Sequence, residues 1–327
     1  ELGTYTPNLP ITTLSMGERP IRTRMPDYGL LETDGKQAIG ISQAPSEDYA
    51  PDRKPMIELP IELQKPVFSD ISKFNNKYYL ATTNRGIWAF DGKNWNQVSH
   101  NGKGNANKLC SNQKHCYAYS KNSGIYEVLD NIANLVIEPK ETENIKYLSI
   151  CEDDTLLLLY TDGKVKTFSN GELSLTFTIP NEFLENCHSV WKVSNQYIAV
   201  LNQGIMVYES SGKWNLKFFQ GNIDSARISD IISLDNKILY MALNDGRIFE
   251  YSNNKLILSG IIPDHPISIK YSENLWISSA DSIYLKEGNS FAPATFKSGD
   301  RILGAFTDKI SKNILVFTAS GLRILTR

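Results

Sequence analysis

Several marks of an enzyme, a nucleic-acid-binding protein or a membrane protein are missing from this sequence of 327 residues. Its four histidines form no HxH or HExxH pattern, and no GxSxG, P-loop or dinucleotide fingerprint occurs, so the sequence predicts no catalytic residue, metal or cofactor. Lys plus Arg total 34 and Asp plus Glu total 36, a balance that excludes a broad basic surface for nucleic acid. The longest apolar runs, such as Leu156–Tyr160, are far too short for a transmembrane helix.

Cysteine is scarce too, with only four residues in the chain. That number is too small for a disulfide-rich scaffold but is compatible with one bridge in an oxidising compartment. Cys110 and Cys116 flank a short turn, CSNQKHC, and one prediction is a disulfide between them; the alternative is two reduced, half-buried thiols. Cys151 and Cys187 are expected to be unpaired and to act as small apolar fillers.

The sequence does contain a repeat, in which a polar turn, usually ending in glycine, precedes a short apolar strand. Seven copies occur, and the steps between their first apolar residues run from 35 to 43 residues. These residues are Ile87, Ile125, Val165, Ile205, Ile248, Ile283 and Leu322. The turn glycines are expected to adopt positive φ, which glycine tolerates best. They are Gly86, Gly124, Gly163, Gly204, Gly246 and Gly321, with Ser282 in the sixth copy.

Each copy belongs to a longer unit of four short strands. In the fifth unit, for example, the strand-like stretches are SDIISL, DNKILYMA, the turn strand GRIFEY and KLILS. Four strands in about 40 residues is the pattern of a propeller blade, which can bury both of its faces only between two other blades. We therefore predict an all-β fold, a seven-bladed β-propeller of four-stranded blades.

The ends of the repeat predict how the ring closes. The seventh unit supplies only three strands, whereas Met56–Leu63 is a strand-like segment that precedes the first unit. This N-terminal strand is expected to complete the last blade and to remove its open edge, with Pro60 at the strand end. The predicted domains are an arm over residues 1–55 and the propeller over residues 56–327.

The stretch TNRGIWAFDG, residues 83–92, resembles the repeats of bacterial regulator-type propellers, the kind found in two-component regulators. In those repeats a turn glycine is followed by an apolar residue, an aromatic residue and an Asp-Gly turn. The resemblance extends over roughly residues 66–327 as architecture. It implies no single function, because that group includes sensor ectodomains, adhesion modules and assembly factors.

The N-terminal arm differs from the rest of the chain, because it holds seven of the 14 prolines and few strand-like runs. It is expected to be extended, either as a solvated arm along the propeller or as a docking arm that orders against a partner. Arg19, Arg22 and Arg24 alternate with other residues in ERPIRTRMP, and we predict that they bind carboxylates of a protein partner.

These patterns favour a non-enzymatic protein-binding or assembly module of a bacterial cell envelope or secretion-type machine. The repeats share no catalytic constellation, and propeller loops form broad docking surfaces. The expected partners are proteins and not nucleic acid. The expected location is extracytoplasmic. Because the chain begins at Glu1 and not at Met, we expect that it was processed or trimmed and that any signal peptide is already missing.

Two other functions stay open at this stage. One is a ligand-sensing ectodomain of a receptor, and the other is a propeller enzyme of the lactonase or lyase type. Such an enzyme would place metal-binding or acid–base side chains around the central channel. The candidates on inner strands come from different blades and are not expected at equivalent positions: Asp70, Glu152, His188 and Asp230.

Overall fold

Seven antiparallel sheets of four strands in hairpin order, with one strand added at the edge of one of them, make up most of the structure, a computed structural model. It describes residues 31–33, 36–38, 57–58, 60, 63, 68–100, 106–151, 153–209, 211–221, 226–235, 237–288, 290–294, 301–309, 311–319 and 321–325. Each sheet is one blade, so the predicted all-β, seven-bladed propeller is confirmed.

The first four blades follow each other directly along the chain. Blade 1 has strands Phe68–Phe74, Lys77–Thr82, Ile87–Phe90 and Trp95–Gln97. Blade 2 has strands Lys108–Ser111, Cys116–Ser120, Gly124–Leu129 and Ile132–Ile137. Blade 3 has strands Ile145–Ile150, Leu156–Tyr160, Lys164–Ser169 and Glu172–Thr178. Blade 4 has strands Cys187–Val193, Gln196–Leu201, Gly204–Tyr208 and Trp214–Phe218.

The last three blades complete the ring. Blade 5 has strands Ile228–Leu234, Ile238–Leu243, Arg247–Ser252 and Lys255–Ile261. Blade 6 has strands Ser268–Tyr271, Leu275–Ser278, Ile283–Glu287 and Ser290–Ala294. Blade 7 has strands Ile302–Thr307, Ile314–Thr318 and Gly321–Leu325, and its fourth strand is Ile57–Glu58.

Five smaller elements of the described chain lie outside this pattern. Strand Ser99–His100 pairs in parallel with the outermost strand of blade 2 and makes that sheet five-stranded. Strands Leu31–Thr33 and Lys36–Ala38 form a hairpin. A 3-10 turn at Pro139–Glu141 and a single helical turn at Asn181–Leu184 connect blades 2, 3 and 4. No helix in the described part of the chain is long and apolar enough to cross a membrane.

The core lies between neighbouring blades. The second strands are mostly apolar, and all five residues of Leu156–Tyr160 are buried, because each sheet is covered on both faces. In one such layer Tyr79 of blade 1 packs with Cys116 and Val128 of blade 2. A blade therefore gains its stability from its neighbours, as the repeat pattern predicted.

The ring closes where the sequence predicted that it would. Ile57 pairs with Leu322 and Glu58 with Gly321, both antiparallel. The paired strand is shorter than the predicted Met56–Leu63, and Pro60 lies beyond it. Leu63 is fully buried in the cluster that joins blades 7 and 1. The closing segment thus contributes both backbone pairing and apolar burial.

The turn glycines are used in two different ways. Gly124 has a φ of 98°, as expected for a hairpin turn. Gly204 does not have positive φ, so that part of the prediction is wrong. A Cβ at Gly204 would lie 2.1 Å from the carbonyl oxygen of Lys217 on the next strand, and glycine is needed there because two backbones approach closely.

The predicted disulfide between Cys110 and Cys116 is not formed, and all four cysteines are free thiols. Cys116 pairs with Ser111, and Cys110 pairs with Tyr117. Because side chains alternate along a strand, Cys110 and Cys116 lie on opposite faces of blade 2. They belong to different core clusters, one on each side of the blade.

Apart from the hairpin Leu31–Thr33 and Lys36–Ala38, the predicted arm lies outside the described residues. Arg19, Arg22 and Arg24 lie outside the described residues. Their role in docking and the domain boundary after residue 55 therefore stay predictions.

Candidate functional site in the central channel

The first strand of every blade lies at the centre of the ring, in contact with the first strands of the neighbouring blades. Together these strands surround a cavity of about 350 Å³, lined by residues from all seven blades. That volume lies in the range of small-ligand sites. The charged and aromatic groups in it are therefore the first candidates for a binding function.

Asp70 lies beside this cavity, bonded to Lys108 and Lys270, which line it. Its carboxylate accepts hydrogen bonds from the backbone N–H of Ile71 at 2.8 Å and of Leu109 at 3.1 Å. The ammonium groups of Lys270 and Lys108 lie 3.1 and 3.2 Å from its two oxygens. Burial alone would raise the pKa of Asp70, but the two lysines and the backbone donors outweigh burial and hold it at about 2. Asp70 is thus a charged, fully satisfied carboxylate.

Lys270 reaches Asp70 by passing over a whole blade. It lies on blade 6 and Asp70 on blade 1, with Gly304 of blade 7 between them. A Cβ at Gly304 would lie 3.1 Å from Cγ of Lys270 and 3.1 Å from Cγ2 of Ile71. The missing side chain at Gly304 therefore leaves the space that the Lys270 stem occupies.

Asp230 on blade 5 occupies the position equivalent to Asp70, contrary to the expectation from the sequence. Asp70 pairs with Ala81 after a register shift in its strand, and Asp230 pairs with Ala242 after the same shift. The Asp230 carboxylate accepts the N–H of Ile231 and that of Ile269 on the next blade, both at 2.9 Å. Each aspartate therefore joins its own blade to the following one.

The two aspartates differ in their charge environment. Within the described residues, no lysine, arginine or histidine nitrogen lies within 4.0 Å of the Asp230 carboxylate, whereas Asp70 has two ammonium groups at this range. Asp230 lines the cavity and is partly exposed to it. It is thus a cavity carboxylate without a close ion-pair partner.

Aromatic side chains line the cavity on blades 3 and 4. Tyr147 of blade 3 and Trp191 of blade 4 line the cavity, with ring centroids 6.1 Å apart. The Lys108 ammonium lies 5.5 Å from the Tyr147 ring. His188 stands 5.1 Å from Tyr147, and burial, partly opposed by the charge of Asp230, lowers its pKa to about 4. His188 is therefore neutral at pH 7.

The candidates named from the sequence that the structure describes form no group of metal ligands. Asp70 is neutralised by lysines, and Glu152 lies outside the described residues. Among the residues that the structure describes, no three His, Cys, Asp or Glu side chains are grouped as metal ligands. What the arrangement can do is bind a polar or charged group between Asp230, Lys108 and the aromatic rings.

A second feature is the outer rim of the ring. Phe218 ends the outermost strand of blade 4 and Ile261 ends that of blade 5. The two positions are equivalent, because the next residue in each case is buried and donates its N–H to a carbonyl of the turn before the third strand. Their side chains are 62% and 61% exposed. Leu175 on blade 3 and Ile257 on blade 5 add further exposed apolar surface. Consecutive blades thus carry large apolar side chains in solvent.

The blades, the closing strand and the channel together define a seven-bladed β-propeller as the fold class of this chain. No protein-family model matches the chain, and no curated protein matches it in sequence. Its likeness to known proteins is therefore structural.

Three solved structures illustrate this likeness. The chain is similar to the extracellular domain of a putative one-component system from B. thetaiotaomicron, with a TM-score of 0.54, 15% identity and coverage of 83% of this chain and 39% of that one. It is similar to PorZ, a surface component of the type-IX secretion system of Porphyromonas gingivalis. The TM-score is 0.57, the identity 12%, and the match covers 80% of this chain and 47% of that one. It is similar to a catalytically inactive virginiamycin B lyase from Staphylococcus aureus. The TM-score is 0.60, the identity 12%, and the match covers 84% of this chain and 98% of that one. The chain spans less than half the length of the first two, and at these identities the likeness shows the fold alone.

Proposed function

We propose that this chain is a non-enzymatic protein-binding module of a bacterial envelope or secretion-type machine. The observation that carries the proposal is the exposed apolar rim on blades 4 and 5, where Phe218 and Ile261 repeat at one position. Large exposed apolar side chains on neighbouring elements are typical of a surface that a protein partner covers.

An extracytoplasmic location belongs to the same proposal. It is supported by the likeness to an extracellular domain and to a surface component of a secretion system. The free state of Cys110 and Cys116 removes the disulfide as an argument for an oxidising compartment.

A ligand-sensing ectodomain is the second candidate function. It is favoured by the channel cavity, in which carboxylates, ammonium groups and aromatic rings line one space. The likeness to a lyase supports an enzymatic alternative only through the fold, because no metal-ligand cluster occurs among the described residues.

The rim is tested by exchanging its two equivalent residues together, Phe218→Ser and Ile261→Ser. Both side chains are exposed, so the variant should fold with an unchanged melting temperature, while crosslinking to the partner in envelope fractions of the source cells should fall at least tenfold. The control is Leu129→Ser with Ile132→Ser, which removes similarly exposed apolar groups from blade 2. Equal crosslinking by the wild type and the rim variant would contradict the proposal.

The arm is tested separately with the triple variant Arg19→Ala, Arg22→Ala and Arg24→Ala. If these guanidinium groups bind carboxylates of the partner, the variant should bind more weakly at low salt, and the deficit should shrink as salt is raised. Binding is measured by surface plasmon resonance at two ionic strengths, after circular dichroism has shown normal folding. Full binding at low salt would exclude the docking role, and unfolding would make the arginines structural.

A further inference from the structure

The symmetry of the ring allows the surroundings of Asp70 and Asp230 to be compared position by position. Lys108 lies on the blade after Asp70, directly before the residue that donates its N–H to Asp70. The equivalent residue after Asp230 is Ser268, directly before the donor Ile269. Beside Asp230, a serine therefore stands where Lys108 stands beside Asp70.

The second ammonium position gives the same result. Lys270 lies two blades before Asp70 and two residues after Ser268, the residue of blade 6 that matches Asp70. Two blades before Asp230, the equivalent residue is Ser149, which lies two residues after Tyr147, the matching residue of blade 3. The Ser149 hydroxyl donates to the carbonyl of Val190 at 2.6 Å, and that of Ser268 donates to the carbonyl of Leu303 at 3.2 Å. Both hydroxyls are buried and used on backbone carbonyls. Neither is available to Asp230.

The Asp230 carboxylate therefore has the backbone setting of Asp70 without its two cations. A carboxylate that is partly removed from water and lacks a close cation is costly, unless a positive group comes to it. Lys108, which also lines the cavity, directs its ammonium to Asp70, 3.2 Å away. The cavity leaves space at Asp230 for a cation that the described residues do not provide.

The walls beside Asp230 suit an organic cation. Trp191, on the preceding blade, and Tyr147 line the same cavity, and aromatic faces attract ammonium and guanidinium groups. The Tyr147 ring already lies near one ammonium, that of Lys108. His188 is neutral near pH 7 and so adds no repulsive charge.

We infer that the channel binds an organic cation, a primary ammonium or guanidinium group, with Asp230 as its carboxylate anchor and Trp191 as its aromatic wall. The cation could belong to a free small amine or to a basic side chain of a bound peptide, and the two sources share this chemistry. The inference concerns the channel and is independent of the rim and arm proposals, so either can fail without the other.

The test uses n-butylammonium as the small probe and n-butanol as its neutral control. Binding is followed by the shift of the Trp191 indole N–H resonance, identified with Trp191→Phe. A blocked five-residue peptide with a central lysine among alanines tests the second source, with norleucine replacing lysine as its control. We expect saturable shifts with at least one cationic probe and none with the neutral controls.

Two variants test the anchor from opposite directions. Asp230→Asn removes the charge and should weaken binding at least tenfold, the loss of one charge-assisted contact. Ser268→Lys places an ammonium where Lys108 stands beside Asp70, so it should abolish probe binding and raise the melting temperature. Glu172→Gln removes an exposed carboxylate on the outermost strand of blade 3, outside the cavity lining, and should leave binding within twofold.

The possible outcomes are distinct. Binding only of the amine assigns a free ligand, and binding only of the peptide assigns a partner side chain. No saturable binding by either cation overturns the inference, and so does equal binding by Ser268→Lys and the wild type. If one of the two variants fails to fold, the other decides.

Discussion

Asp70 and Asp230 show how one residue type at one position can have two roles. Both accept two backbone N–H groups and join neighbouring blades. Only Asp70 also neutralises two ammonium groups, and its side chain is just 8% exposed. The charge of Asp70 is therefore part of the fold, whereas the charge of Asp230 is directed to the cavity.

This difference predicts unequal effects of the same substitution. Asp70→Asn should lower the free energy of unfolding by about 3 kcal/mol or more, because it leaves two lysines without their carboxylate. Asp230→Asn should cost only about 1 kcal/mol, the loss of a backbone hydrogen bond. Urea unfolding at pH 7 measures both values. Equal losses would show that the lysines add nothing to the role of Asp70.

Part of the site could be predicted from the sequence at this scale. Asp70, His188 and Asp230 are on channel strands as expected, because the repeat period places the first strand of each blade. Lys108, Lys270 and Tyr147 were missed, since lysine and tyrosine on a strand match no motif. Aligning the first strands on their register shift would have placed Lys108 beside Asp70, but the reach of Lys270 over Gly304 depends on the closed ring.

At the scale of elements, the closing strand is short but joins two parts of the chain far apart in sequence. Only Ile57 and Glu58 pair with blade 7. Leu63 adds a fully buried side chain to the cluster of Phe306 and Phe317. Hydrophobic pattern predicted this strand, whereas its length is set by Pro60 and by the turn that follows.

Two truncations separate the closing segment from the arm. Deleting residues 1–64 should lower the melting temperature by several degrees or more, because it exposes an unpaired strand edge and removes Leu63. Deleting residues 1–55 keeps the closing segment and should lower it by less. Differential scanning calorimetry measures both, and equal melting temperatures for the two truncations would show that the strand adds no stability.

At the scale of the whole molecule, the period and the residue types were sufficient for the fold. Turn glycines, short strands and a missing fourth strand together predicted seven blades and their closure. The disulfide was mispredicted because sequence spacing does not reveal on which face of a strand each thiol lies. Cys116, Cys151 and Cys187 are at most 2% exposed, and burial raises the pKa values of their thiols.

Thiol titration tests this redox state. The denatured, unreduced protein should show four free thiols, and the native protein should react slowly at pH 8, because buried thiols of raised pKa form little thiolate. Two free thiols in the denatured protein would restore the Cys110–Cys116 bridge and require a change in the register of blade 2.

The pairing of Lys270 with Asp70 has a mechanical consequence for blade 7. This blade is held at two places. At its outer edge it pairs with Ile57–Glu58, and at the channel the Lys270–Asp70 ion pair joins blades 6 and 1 across Gly304. Loss of the pairing with Ile57–Glu58 would expose the outer edge of blade 7, whereas the Lys270–Asp70 ion pair would remain. We therefore expect loss of the Ile57–Glu58 pairing to affect the outer edge of blade 7 more than the channel.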